Sequence, residues 1–274
     1  MEGEQGASVS PAVYLENLFG LRGQTAVVIG GAGVLGSTLA RGLAMAGASV
    51  VIAGRDLKRG SEIASEITHG GHQARSLEVD ATSADSLGRL LQDVRQSSPT
   101  IDMLINCAGI NDGTPYTEIS LERWNRVFEV NLTATHLACQ TFAPVMAEQV
   151  GGGSILNIGS VTAHIPLSRV FAYAASKAAV VNLTKNLARE FAPKQVRVNV
   201  LCPGFFPAEQ NRALLDRQRI ENIMAGTPMN RFGEPDELIG AAILLLSRRA
   251  GSYITGCEMY VDGGFSQTVG GMRE

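Results

Sequence analysis

The sequence predicts one α/β domain, a doubly wound parallel sheet of about seven strands with helices on both faces. Three observations carry this. Short apolar, β-branched runs alternate with helix-period stretches along almost the whole chain, the pattern of parallel strands joined by helical crossovers. A glycine-rich segment, Gly30-Gly31-Ala32-Gly33-Val34-Leu35-Gly36, joins the first such run directly to a helical stretch. A chain of 274 residues, 45% of them hydrophobic, can bury one large core without dividing into domains.

The elements follow in order. Residues 1–19 read as a mobile N-terminal extension, with a late segment around Tyr14 to Phe19 packing on the body. Its glutamates, Glu2, Glu4 and Glu16, and its lack of a basic start are not those of a secretory signal. The domain itself occupies 20–274. Strands are expected at 25–29, 48–53, 75–79, 101–106, 154–159, 196–201 and 257–261. Helices are expected at 34–46, 57–68, 84–97, 121–148, 172–192 and 235–248. The last opens on Pro235, suited to a first helical position, and carries Leu238, Ala242 and Leu245 on one stripe. No internal repeat or low-complexity linker interrupts the alternation.

Charge and cysteine usage narrow the function classes. A net charge of −3 argues against a nucleic-acid surface. No stretch is long and apolar enough to span a bilayer. Cys107, Cys139, Cys202 and Cys257 lack paired metal spacing and read as reduced thiols of a cytoplasmic protein. His69, His72, His136 and His164 are scattered; no metal site is expected. His164, four residues after Ser160, reads as a solvated loop residue.

The candidate chemistry lies in Tyr173-Ala174-Ala175-Ser176-Lys177, with Ser160 thirteen residues before the tyrosine. Four residues make about one helical turn, so Tyr173 and Lys177 share a face. An ammonium beside a phenol stabilises the phenolate and lowers its pKa. A phenol so tuned can pass a proton to or from a carbonyl or alcohol oxygen. Ser160 follows the apolar run Ile155–Gly159, where a strand-end hydroxyl can hold the same oxygen.

The glycine segment points to a nucleotide. Gly31, Gly33 and Gly36 fit G-x-G-x-x-G, and Gly30, Gly33 and Gly36 fit G-x-x-G-x-x-G. Glycines let the backbone approach a pyrophosphate, and the following helix offers unpaired N–H groups to it. Gly36, Asp80, Gly109 and Ser160 fall at or just after expected strand ends, where ligands of such sheets lie.

Together these residues resemble the short-chain dehydrogenase/reductase family, in its shorter, single-domain, Rossmann-type branch. The resemblance covers about residues 20–266. Further matches are Asn106-Cys107-Ala108-Gly109, Asn131 in Val130-Asn131-Leu132, Arg197-Val198-Asn199 leading to Pro203-Gly204, and Val261-Asp262-Gly263-Gly264. The resemblance implies a catalytic tetrad of Asn131, Ser160, Tyr173 and Lys177. It also implies a nicotinamide cofactor held by Gly30, Gly31, Gly33, Leu35 and Gly36 at the pyrophosphate and by Asp80 and Ala81 at the adenine. Asn106, Ala108, Gly109, Tyr173, Lys177, Pro203, Gly204 and Phe206 complete that set. By the same resemblance, the helices at 121–148 and 172–192 form a dimer face, and the C-terminal strand region builds a homotetramer.

Cofactor choice rests on strand two. An acidic residue at its end would bond a ribose 2′-hydroxyl and mark NAD. That position is Gly54, followed by Arg55, which can pair with a 2′-phosphate. NADP is favoured; NAD is the alternative, through Asp56. Two positions depart from the family pattern: Ile29 stands where a threonine usually precedes the first glycine, and Val34 replaces a later glycine, as in the extended branch. A third, Ala208, replaces a threonine four residues after Gly204.

The small-molecule substrate is expected to contact Ser160, Tyr173 and Arg212. Glu209, Gln210, Asn211 and Arg212 make the segment Phe205 to Arg212 polar, suited to a sugar acid or another polyhydroxy compound. The longer segment Pro203 to Leu215 is similar to that of sugar-acid oxidoreductases such as the mannonate/fructuronate enzymes. Two alternatives are a 3-oxoacyl thioester reductase and, from another class, a catalytically silent nucleotide-sensing or scaffold protein.

Overall fold

A computed structural model of the chain describes residues 9–206 and 217–267. Its sheet has seven parallel strands: β1 Thr25–Ile29, β2 Ser49–Gly54, β3 Gln73–Glu78, β4 Met103–Asn106, β5 Gly153–Ile158, β6 Val196–Pro203 and β7 Glu258–Val261. Their spatial order is β3-β2-β1-β4-β5-β6-β7. The order reverses direction between β1 and β4, so the crevice beyond their carboxyl ends is where such a sheet takes a ligand. The registers Ile29↔Asn106 and Asn106↔Asn157 bring the ends of β1, β4 and β5 side by side.

Both faces are covered, and β1 shows how. Ala26 and Val28 enter a core with Leu39 and Leu43 of α2 (Val34–Met45) and Ile63 of α3 (Leu57–His69). Val27 and Ile29 enter the opposite core with Leu87 and Leu90 of α4 (Ala84–Ser97). The two-residue alternation of a strand feeds both layers. Also on this second face are Phe142 and Met146 of α6 (Ala134–Glu148) and Ala188 of α7 (Phe171–Phe191).

Helix starts follow local capping chemistry. Asp56 accepts the Arg59 N–H at 3.0 Å to open α3, and Ser83 opens α4 in the same way. Ser120 does so for α5 (Leu121–Phe128). The expected helix 121–148 is divided into α5, a π-helical turn over Glu129–Thr133, and α6. The expected helix 235–248 is a 3₁₀ turn over Pro235–Leu238 followed by a short helix, Ile239–Leu246. A further helix, Arg217–Gly226, was not expected.

Part of the N-terminal extension is helical: α1 covers Pro11–Phe19, with Ser10 as cap and Pro11 at its first position. Contact with the body is at its far end, where the Leu18 carbonyl accepts from Ser247 Oγ at 2.7 Å and from the Ala250 N–H. Tyr14 remains exposed.

Candidate active site

At the end of β1 the chain turns through Gly30 at φ +78°, a left-handed conformation that glycine adopts without strain. Its N–H donates to the Ala53 carbonyl at 2.8 Å. A Cβ on Gly30 would lie 2.6 Å from the Ala108 nitrogen, and one on Gly36 would strike the Gly30 carbonyl oxygen. The turn is therefore pressed between the end of β4 and the first turn of α2. Gly33 caps α2 without a side chain, so the first N–H groups keep their donors for an anion. The cradle fits a pyrophosphate. Ile29 is buried in the core, and the turn closes instead by its own backbone, Gly33 N–H to Gly30 O at 3.0 Å. Gly31 lies against Val28 and Ile52, and Leu35 and Ala108 rest partly buried on the core.

At the adenosine end, Gly54 closes β2 and Arg55 is exposed. Asp56 caps α3 through Oδ1, which ties down one oxygen of the carboxylate that is the alternative partner for a ribose. Asp80 Oδ1 accepts from the Thr82 hydroxyl at 2.7 Å and the Thr82 N–H at 3.0 Å. These bonds, chiefly, hold its carboxyl below the ordinary value, and the nearby Arg55 charge adds to them. Ala81 packs beside it, partly buried.

The arrangement carries a local prediction. A Cβ at Gly54 meets nothing within 4 Å, so Gly54→Asp should fold and shift preference from NADP toward NAD. One charge-assisted contact to a 2′-phosphate is worth about 1.5–3 kcal/mol, or about one to two powers of ten in relative preference. Arg55→Ala should weaken NADP alone. Steady-state kinetics with both cofactors measure this; a wild type that prefers NAD, and loses that preference in Asp56→Ala, would assign the ribose to Asp56.

The tetrad residues converge beyond β4 and β5. Ser160 follows β5, and its Oγ accepts from the Thr162 hydroxyl at 3.0 Å and the Thr162 N–H at 3.2 Å. With those acceptor positions filled, its own hydrogen is left to donate, and Ser160 faces the Tyr173 hydroxyl closely enough to favour its ionised form. Lys177, one turn along α7, is 4% exposed. Its Nζ donates to the Ile158 carbonyl at 2.7 Å and lies 5.6 Å from the Tyr173 ring centre.

The electrostatics differ from the sequence expectation. Burial raises the Tyr173 pKa, and the Ser160 hydroxyl opposes it only in part. Lys177 is itself pushed down to about 8 by burial. An ammonium that has lost its own hydration cannot simply pull a phenol toward neutrality, because the apolar surroundings penalise both charged forms.

Asn131 is fully buried in the π-helical turn, a feature common at functional sites. Its Oδ1 accepts the Ile110 N–H at 2.8 Å, while Nδ2 donates to the Ile110 carbonyl and to Ser176 Oγ, each at 3.0 Å. Ser176 donates in turn to the Tyr173 carbonyl at 2.7 Å. Asn131 thus locks the segment after β4 to the helix that carries Tyr173. A Cβ at Gly109 would lie 3.5 Å from Asn131 Oδ1 and 3.6 Å from Lys177 Nζ, so Gly109 sits between the two.

Other expected residues are placed differently from one another. Asn106 Nδ2 donates to Asn157 Oδ1 at 2.8 Å, which turns its side chain into the sheet; its buried Oδ1 has no partner among the described residues. Pro203 ends β6, and the Gly204 N–H donates to the Val261 carbonyl at 2.9 Å. Phe206 is buried in the core against Gly233. Arg212 and Ala208 lie outside the described residues. His164 contacts Glu258 at 2.8 Å, so it ties its loop to β7 while staying exposed to solvent, as expected. Thr162 and Ser176 were missed; the only sequence signal for Ser176 was its place inside the Tyr173–Lys177 turn.

Known proteins resemble the chain over most of its length. A family model described as "Enoyl-(Acyl carrier protein) reductase" matches residues 30–266. The chain is 36% identical over 266 residues to an uncharacterized oxidoreductase, UxuB, of Bacillus subtilis, covering 89% of this chain and 95% of that protein. It is 33% identical to 5-keto-D-gluconate 5-reductase of Escherichia coli K12, covering 93% and 100%. Its fold superposes with a TM-score of 0.89 on a gluconate 5-dehydrogenase of Burkholderia cenocepacia solved with NADP and tartrate, at 33% identity and with 93% and 100% of the chains covered.

Proposed function

The chain belongs to the short-chain dehydrogenase/reductase family, and from that premise we propose that it is an NADP-linked oxidoreductase interconverting the ketone and alcohol forms of a sugar acid. The observation that carries the reading is the Ser160–Tyr173 hydroxyl pair, with Lys177 beneath it and Gly109 beside it. The B. cenocepacia relative solved with NADP, and the E. coli relative named for a keto sugar acid, support the cofactor and the substrate class.

Each residue has a role in this reading. NADPH supplies, when bound, the hydride that reduces the carbonyl carbon. Ser160 donates a hydrogen bond to the carbonyl oxygen and orients it. Tyr173 gives that oxygen its proton in reduction and takes it back in oxidation. Lys177 holds the ribose and favours the phenolate as it forms. Asn131 keeps Gly109 and Ile110 against α7 and supports a water relay to Lys177. The glycine turn and the start of α2 take the pyrophosphate, Arg55 the 2′-phosphate, and Asp80 the adenine. All four tetrad residues are present, which disfavours a silent scaffold.

The test is change in nicotinamide absorbance with keto sugar acids, neutral ketoses and 3-oxoacyl thioesters offered in parallel. Turnover of the keto acids supports the reading. Preference for the 3-oxoacyl thioester, which is in the names of other relatives, among them a 3-oxoacyl-[acyl-carrier-protein] reductase of Aquifex aeolicus, would replace it.

The reading extends to assembly and location. A homotetramer with closed symmetry is expected, α5 to α7 supplying one interface and the β7 region another. Sedimentation at micromolar concentration should give the mass of four chains; a monomer would refute the assignment. A cytoplasmic location accords with four free thiols. Among the described residues no helix is long and apolar enough to cross a membrane.

A further inference from the structure

We propose that Arg169 is the carboxylate anchor of the substrate, a specificity-determining residue; the proposal rests on the reading of the site as one for polyhydroxy acids. Arg169 lies in the loop whose two ends carry Ser160 and Tyr173. That loop meets the segment leaving Gly109 at an aromatic pair, Tyr116 and Phe171, with ring centres 5.0 Å apart. Arg169 is exposed and lies two residues before Phe171 and four before Tyr173. Its neighbour Val170 is buried, and the Val170 carbonyl accepts the Ala174 N–H at 2.7 Å. The backbone beside the guanidinium is therefore tied to α7.

Two observations set this residue apart. Its φ is +58°, a left-handed conformation that costs a residue with a Cβ and costs glycine nothing. Selection for folding alone would favour glycine here, and strain retained at a site is a pointer to function. The second is charge. The Arg169 side chain makes no hydrogen bond or ion pair among the described residues and is exposed. Other basic side chains are engaged: Arg123 with Asp112 at 2.7 Å, and His164 and Lys185 both with Glu258. An unengaged guanidinium on a fixed backbone offers two parallel donors to a carboxylate.

The test compares 5-keto-gluconate with fructose, a neutral ketose, in NADPH-dependent reduction by wild type, Arg169→Met, Arg169→Lys and Arg169→Gly. Wild type should prefer the acid. Arg169→Met should raise KM for the acid by about tenfold or more, the scale of one lost charge-assisted contact. Its kcat, and both constants for fructose, should hold. Lysine should restore part of the loss. Glycine should lose the acid preference yet melt no lower than wild type, which separates anchoring from folding. Equal losses on both substrates, or an unchanged KM for the acid, would overturn the anchor. A wild type that reduces fructose as well as the acid overturns the anchor and leaves the ketone chemistry standing; one inert toward both overturns the anchor together with the proposed function.

Discussion

Tyr173→Phe should lose about three powers of ten in turnover while binding NADP with near wild-type affinity. The substitution removes one hydroxyl and keeps the ring, so only the proton carrier is lost, and general acid–base catalysis is typically worth 10²–10⁴-fold. The direction of the Tyr173 shift adds a pH signature. Burial raises its pKa, so at neutral pH the phenol is protonated and ready to act as an acid. Ketone reduction should therefore hold its rate through neutrality. Alcohol oxidation, which needs the phenolate, should climb as pH rises. Rate profiles in both directions check this. A phenylalanine variant retaining more than about a tenth of the wild-type rate would remove Tyr173 from the proton path.

Lys177→Met should abolish most turnover and yet make the folded protein more stable at pH 7. The lysine pKa falls from 10.5 to about 8, which corresponds to about 3 kcal/mol of unfavourable ammonium burial. Methionine removes that cost but leaves the Ile158 carbonyl without its donor, for a net gain of about 1–2 kcal/mol. Below about pH 8 the lysine is protonated both folded and unfolded, and the full cost applies. Between about 8 and 10.5 the folded form sheds its proton first, so wild-type stability rises with pH. The advantage of methionine should then shrink across that window. Thermal melts of both proteins at pH 7 and pH 10 measure it. An advantage that stays constant with pH would mean that Lys177 is not the strained ammonium described here. Stability gained where activity is lost is the usual mark of a residue kept for chemistry.

Much of the fold was legible because its signals are local and repeated. The run Thr25–Ile29 is apolar at every position after Thr25, as suits a strand buried on both faces, and the glycine turn follows it without a break. The same locality put Tyr173 and Lys177 on one helical face. Signals that depend on what packs where were not legible in this way. The direction of the Tyr173 shift follows from desolvation, which no spacing encodes. The burial of Phe206 depends on Gly233, which leaves room for its ring. The π-helical turn at Asn131 depends on the Ile110 and Ser176 partners, both remote from it in sequence. Two signals were present and underused. Asp56 directly precedes a helix and is its cap, and Ser10-Pro11 announces α1.

The central claim is hydride transfer between nicotinamide and the ketone of a sugar acid, with the proton supplied by Tyr173. Its most direct test is reduction of 5-keto-gluconate with NADPH carrying deuterium at the transferable C4 position, followed by mass spectrometry of the product. The account predicts one deuterium on the new carbinol carbon in wild type and almost no product in Tyr173→Phe. An unlabelled product, or a labelled one formed equally well by the phenylalanine variant, would contradict it.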